Sequence, residues 1–185
     1  MLILSKLFRQ LFILDNFIMI KCEFENGSAA GLRHLTVDII IIRGTEVLLN
    51  KRGSYKGKPL LESGKWALMG GFMDRDETVI EAITRETIEE AGCTITNVKL
   101  FRIVDNPNRP KEDRQNVTFI FIADFVSKIE TQTEEVQALK WFPLNDLPPM
   151  EEIAFDHGES IQMYKDYLAD KNSHPILERF PAIII

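Results

Sequence analysis

The sequence predicts an α/β fold in which a mixed β-sheet carries helices on its faces. Three observations support this. The β-branched runs at residues 35–42 (LTVDIIII) and 116–126 (NVTFIFIADFV) read as strands, the first continuous enough to be buried. Residues 76–91 begin with acidic side chains, carry an apolar stripe and stop at Gly92, as a helix does. The order of elements is strands, helix, strands, helix, which suits a layered mixed sheet.

Residues 1–30 are expected to form an extension, 31–172 one domain and 173–185 a tail. The first twenty residues are apolar, but Lys6, Arg9, Gln10, Asp15 and Asn16 interrupt them and no small-residue cleavage site follows. They therefore read neither as a signal peptide nor as a bilayer span. Two readings stay open: an amphipathic extension packed on the domain or a partner chain, or a stretch upstream of a start at Met19. Residues 35–42, the turn at 43–46 and residues 47–52 make a hairpin. Residues 53–64 are a polar loop, and 66–69 a short apolar piece ending at Gly70-Gly71. In the segment 76–91, Asp76 is the expected cap, and Val79, Ala82 and Ile83 form the apolar stripe. Residues 94–104 are a strand, 106–115 (NPNRPKEDRQ) a charged loop, and 135–142 a further strand. Asp156 opens the last helix, with Glu159 completing a capping box.

The chain has 185 residues, 45% of them apolar and 27% charged, the balance of one soluble globular domain. Its net charge of -6 argues against a nonspecific nucleic-acid binder. An acidic chain can still take an anionic substrate where bound metal and local arginines reverse the field. Cys22 and Cys93 have no zinc-like spacing and suggest no disulfide framework, so a reducing cytoplasm is the expected location.

The chemistry is concentrated in residues 71–93, GFMDRDETVIEAITRETIEEAGC. Glu86, Glu89 and Glu90 stand at i, i+3 and i+4, which puts three carboxylates on one side of a helix. Such crowding raises carboxyl pKa values unless a cation compensates. Magnesium is a natural match, because it prefers oxygen ligands and completes its shell with water and phosphate oxygens. The structural alternative is a solvated acidic face tied by Arg85 to Glu81 and Glu89. That alternative does not account for Gly71, Glu77, Arg85-Glu86, Glu89-Glu90 and Gly92 all falling in one register.

This segment resembles the Nudix box, G-x5-E-x7-R-E-U-x-E-E-x-G-U with U bulky and apolar. Every fixed position is met, while Thr87 and Cys93 stand at the two U positions and Met69 precedes the glycine pair where proline is frequent. The resemblance implies a Nudix-type α/β/α sandwich and hydrolysis of a nucleoside diphosphate linked to another group. It implies that Glu86, Glu90 and Glu89 bind metal, with Gly70 adding its carbonyl, and that Glu89 or Glu86 acts as base. Gly71, Glu77, Arg85 and Gly92 would be positioning residues. The cofactor implied is magnesium (Mg2+), for which manganese (Mn2+) can substitute. Such ions polarise a phosphoryl oxygen and acidify water, while a glutamate removes the proton.

Outside the box, Glu135 lies six residues before Trp141, an offset at which some relatives place a further catalytic glutamate. Arg109 and Arg114 in the charged loop are candidate phosphate or ribose ligands. Pro107 and Pro110 bracket the position about sixteen residues past the box where ADP-ribose-cleaving relatives carry proline. Arg52 is a candidate substrate-side cation and Trp66 a candidate stacking surface. His34, His157 and His174 show no metal spacing, and His157 reads as structural.

The substrate implied is a small nucleotide, ADP-ribose-like or a related dinucleotide, with no nucleic-acid or membrane partner. A nucleoside triphosphate cleared by a housecleaning enzyme is the alternative within enzymes. A non-catalytic nucleotide-sensing regulator is the alternative outside them, disfavoured by the intact box and by a tail of about fifteen residues, too short for a winged helix. Relatives often pair, and the apolar first twenty residues offer a surface for a homodimer.

Overall fold

The computed structural model describes residues 20–129 and 135–173. The expectations for residues 1–19, for His174 and for most of the tail lie outside the described residues.

Strand β3 (His34–Arg43) is the centre of the molecule. Its side chains alternate between two cores, as the two-residue period of a strand requires. Val37, Ile39 and Ile41 enter one core, while Ile40 and Ile42 enter the other. Both faces are covered, which explains the unbroken β-branched run. Strand β4 (Glu46–Arg52) folds back on β3 through Gly44 and divides its residues likewise, Leu48 to one core and Val47 and Leu49 to the other. Strand β10 (Asn116–Lys128) runs parallel to β3 on its other side, and β9 (Cys93–Val104) lies antiparallel beyond it. Strand β11 (Val136–Pro143) covers the outer edge of β4. The described residues thus form a mixed sheet in the order β11-β4-β3-β10-β9, with β7 (Trp66–Ala67) on β4 and β8 (Met69–Phe72) on β3.

Helix α1 (Val79–Glu86) packs Ala82 and Ile83 into the core shared with Val37, Ile39 and Ile41. Helix α2 (His157–Ala169) packs Ile161 and Tyr164 into the core on the opposite face. The result is the expected α/β/α sandwich.

Four local readings are corrected. The cap of α1 is Thr78, not Asp76: the Glu81 N–H donates to the Thr78 hydroxyl, and the Thr78 N–H donates to the Glu81 carboxylate at 2.7 Å. This reciprocal pair satisfies the free amides of the first turn better than a side chain two residues upstream can. It also removes Glu81 from the ion pair with Arg85 considered above. The second half of the acidic segment, Thr87–Ala91, is a π turn, and the buried Thr87 hydroxyl bonds the Ile83 carbonyl at 2.7 Å. Asp156 precedes α2 without capping it through its side chain, because Arg109 takes its carboxylate. The loop at 53–64 contains a small hairpin, β5 (Ser54–Tyr55) with β6 (Lys58–Pro59), closed by Lys56 and Gly57 at positive φ. Near the start of the described chain, β1 (Ile20–Glu23) and β2 (Ala29–Leu32) pair as an antiparallel hairpin.

The reciprocal cap gives a direct test. Thr78→Ala is expected to lower unfolding free energy by about 1 kcal/mol, read as a shift in urea midpoint at unchanged slope. No shift would show that the box does not stabilise α1.

Candidate active site

Strand β3 pairs with β8 at Thr36–Ile39 and with β4 at Ile41–Arg43, so the sheet forks beside Ile40. Gly70 and Gly71 lie at that fork. A side chain on Gly70 would strike the Val37 carbonyl and come within 2.6 Å of Asp38 Oδ1. One on Gly71 would overlap the Glu86 carboxylate. Both positions therefore need glycine for close approach rather than for a turn.

The carboxylates of the acidic segment differ in environment. Glu90 is buried, and its Oε2 accepts from the Gly70 N–H at 2.9 Å and from Asn50 Nδ2 at 3.1 Å. Burial, opposed by the Gly70 hydrogen bond and reinforced by the charges of Glu86 and Glu135, lifts its pKa to about 8. Glu86 is also buried and shifted upward by burial, although Arg85 Nη1 donates to it at 2.8 Å. Glu89 is the outward member, with more than half of its side chain exposed and Arg85 Nη1 at 3.2 Å. The three do not form one uniform face, because the chain widens into the π turn after Glu86. Glu135 joins them electrostatically: its charge acts on both Glu86 and Glu90.

Arg85 holds this arrangement to the loop before α1. Its Nε and Nη2 grip Glu77 at 3.2 and 2.8 Å, and Nη2 also donates to the Phe72 carbonyl at 3.1 Å. The Arg85 bond and the Asp74 N–H hold the Glu77 carboxyl below the usual range. Gly92 ends the turn in the left-handed conformation, at φ 54°.

A cavity of about 120 Å³ opens on the other side of the glycine pair. Arg52 and Arg114 line it, as do Phe72 and Phe155. Arg114 sits 5.6 Å from the Phe72 ring and Arg52 5.0 Å from the Phe155 ring. Arg109 also lines the cavity, but its donors are committed. It is 5% exposed and bonds the Asp156 carboxylate and, at 2.8 Å, the Thr118 hydroxyl, with Asp38 and Glu112 at 3.7 and 3.3 Å. Trp66 is not brought to the cavity; it packs edge-on against Phe142 at 4.8 Å.

Sequence reasoning missed Asp38, His157 as a cavity residue, Asn50 and Asn116. The His157 Nδ1 accepts the Leu68 N–H at 3.0 Å, and its Nε2 lies 3.3 Å from Asp38 Oδ2. Burial opposes ionisation of Asp38, but His157, Arg109 and Arg52 outweigh it and hold the carboxyl below its ordinary value. For Asp38, a single charged residue inside the run LTVDIIII was the available signal.

The donors suit a hard divalent cation. They are oxygen atoms with surplus negative charge, and the buried Asn50 Oδ1 beside Glu90 has no hydrogen-bond partner among the described residues. As they stand, no three acidic, histidine or cysteine groups among the described residues converge closely enough to enclose an ion. Water and substrate oxygens would have to complete a coordination shell here.

A profile of the NUDIX domain matches residues 32–164. The chain is 34% identical over 138 residues to an ADP-ribose pyrophosphatase of Methanocaldococcus jannaschii, covering 75% of each protein. It is 29% identical over 113 residues to the NAD-capped RNA hydrolase NudC of Pseudomonas aeruginosa, covering 60% of this chain but only 37% of NudC. The NUDIX domain of Shewanella oneidensis NrtR, solved with ADP ribose, superposes with a TM-score of 0.61 at 26% identity, over 78% of this chain and 93% of that one. The chain belongs to the Nudix family, and its intact box marks it as a hydrolase of phosphorus-containing anhydrides. Among the described residues, no helix is long and apolar enough to cross a membrane.

Two predictions follow from these environments. Arg109→Ala strips three buried carboxylates of their shared cation, so it is expected to cost about 3–5 kcal/mol of stability. Unchanged stability with a raised KM would instead make Arg109 a substrate ligand. For Glu90, the folded-state pKa near 8 lies above the ordinary 4.5. Across that window the folded protein keeps a proton that the unfolded chain releases, so without divalent cation stability falls as pH rises. Glu90→Gln should flatten that slope in thermal melts, and an identical slope would refute the assignment.

Proposed function

We propose that this enzyme hydrolyses the diphosphate linkage of a small nucleoside diphosphate derivative, ADP-ribose-like or a related dinucleotide, with Mg2+ as cofactor and Mn2+ as substitute. The observation that carries the proposal is the placement of the cavity. An arginine- and phenylalanine-lined pocket meets the acidic cluster across two side-chain-free residues, Gly70 and Gly71. A substrate with a diphosphate at the cluster and an organic half in the pocket fits that layout. The names of the Methanocaldococcus relative and of the ligand in the Shewanella domain support ADP-ribose.

Glu86, Glu90 and Glu89, with the Gly70 carbonyl, would hold the divalent ions. Bound there, the ions supply positive charge to a phosphoryl oxygen and to the departing phosphate. The protein contributes orientation and proton removal. The Gly70 N–H and Asn50 Nδ2 fix the Glu90 carboxylate, and Arg85 fixes that of Glu86. Glu89, the solvent-facing carboxylate, takes the proton of the attacking water, and Glu135 is the second candidate for that role. Water adds to one phosphorus, the bridging P–O bond breaks, and each half leaves as a phosphate monoester. Arg52 and Arg114 are the cations nearest the bound organic half. Cys22 and Cys93 are free, which suits the reducing cytoplasm where we place the enzyme.

A panel of nucleotide derivatives with mass-resolved products is expected to give two monophosphates from ADP-ribose. Release of inorganic diphosphate from nucleoside triphosphates alone would support the housecleaning alternative, and no cleavage with any divalent ion would support the sensing one. Glu90→Gln should reduce turnover by at least about a hundredfold while preserving the fold. Both hydrogen bonds to Glu90 converge on Oε2, so a glutamine oxygen can accept them. Turnover like that of the parent would remove Glu90 from the metal ligands.

A further inference from the structure

The chain changes partner in the sheet between β7 and β8. Residues 66–67 pair with β4 and residues 69–72 with β3, so Leu68 stands between the two ladders. A buried amide at such a point needs an acceptor from elsewhere in the fold. Leu68 is 1% exposed, and its N–H donates to His157 Nδ1 at 3.0 Å, at the first turn of α2. An imidazole nitrogen that accepts carries no proton, so the proton of this ring is on Nε2. That nitrogen faces Asp38 Oδ2 at 3.3 Å, which favours the same tautomer. The Leu68 carbonyl is held as well, by Asn50 Nδ2 at 3.4 Å, and the same nitrogen donates to Glu90 Oε2 at 3.1 Å. Two residues further on, the Gly70 N–H donates to that Glu90 oxygen at 2.9 Å, and Asp38 is the residue paired with Gly70 across the ladder. A continuous set of contacts therefore runs from α2, through the main chain of Leu68, to both hydrogen bonds on Glu90.

We propose that His157 is a positioning residue for the metal site. By accepting the Leu68 N–H it fixes the crossing from β7 to β8, and with it the Gly70 and Asn50 amides that aim the Glu90 carboxylate. Asp38 supports it by keeping the imidazole in the accepting tautomer. Without that acceptor a buried N–H is left unsatisfied, and the crossing has to move to find another. Groups that orient a ligand carboxylate tune metal affinity although they never touch the ion. This inference rests on the reading of Glu90 as a metal ligand and is independent of which nucleotide is cleaved.

The test is a titration of the substrate-free full chain with Mn2+, followed by loss of the unbound ion's electron paramagnetic resonance signal. His157→Leu keeps the bulk and removes the acceptor, and is expected to weaken Mn2+ binding by about ten- to hundredfold. His157→Asn puts a carbonyl oxygen where Nδ1 stood, and should return the affinity to within about threefold of the parent. His157→Gln extends its amide towards Asp38 but not Leu68, so it should behave like His157→Leu, and it replaces that variant if thermal melts show the leucine protein unfolded. A purely structural role would lower the melting temperature of the variants without separating their Mn2+ affinities, and equal affinities would overturn the inference. The parent protein gives a second reading: its imidazole 15N shifts should show His157 protonated on Nε2, and a ring protonated on Nδ1 would also overturn it. Glu90→Gln in the same titration separates the two readings. Parent-like Mn2+ binding by Glu90→Gln would reject Glu90 as a ligand and the inference with it. Weakened binding there, with parent-like binding by His157→Leu, would reject the inference alone.

Discussion

Burial of like charges governs this molecule. Glu86 and Glu90 are nearly sealed from solvent at the end of one helix, and Glu135 adds its charge from another strand end. Carboxylates in that setting resist ionisation unless positive charge arrives. The protein supplies part of it through Arg85, which spans Glu77, Glu86 and Glu89. Arg52 adds to it at Glu90, yet Glu86 and Glu90 both stay shifted upward, and such a surplus of negative charge suits hard cations. Much of the surrounding backbone follows from it: two glycines for close approach, a strand amide directed at Glu90, and an asparagine from β4 beside it.

The centre of the sheet was readable from the sequence because β3 is buried on both faces and shows it as an unbroken β-branched run. The acidic helix was readable because the box of this family keeps its residues in a fixed register. Its details were not. The cap moved from Asp76 to Thr78 because a reciprocal side-chain pair outcompetes a lone carboxylate, and only coordinates show which pair closes. The π turn was hidden because i, i+4 spacing looks the same in sequence whether or not the helix widens.

Arg109 shows the same boundary between what sequence can and cannot reveal. An arginine in a charged, proline-bearing loop reads as a substrate cation. In the fold it turns inward to a cluster of three acids drawn from β3, its own loop and the residue before α2. Two of them, Asp38 and Asp156, are far from Arg109 in sequence, so nothing local discloses the cluster. Arg52 and Arg114 do line the cavity, one at a strand end and one beside β10. The polar cavity residues Asp38 and Asn116 sit in segments that otherwise read as core, where a single hydrophilic residue is easily passed over.

The fork beside Ile40 has a consequence for how such enzymes diversify. Because β3 changes partner from β8 to β4 along its length, the recess arises from main-chain pairing and owes little to the side chains that line it. Its contents can be exchanged while the acidic segment across the glycine pair stays fixed. New preferences for the organic half of a ligand are then accessible by point substitution, without rebuilding the scaffold.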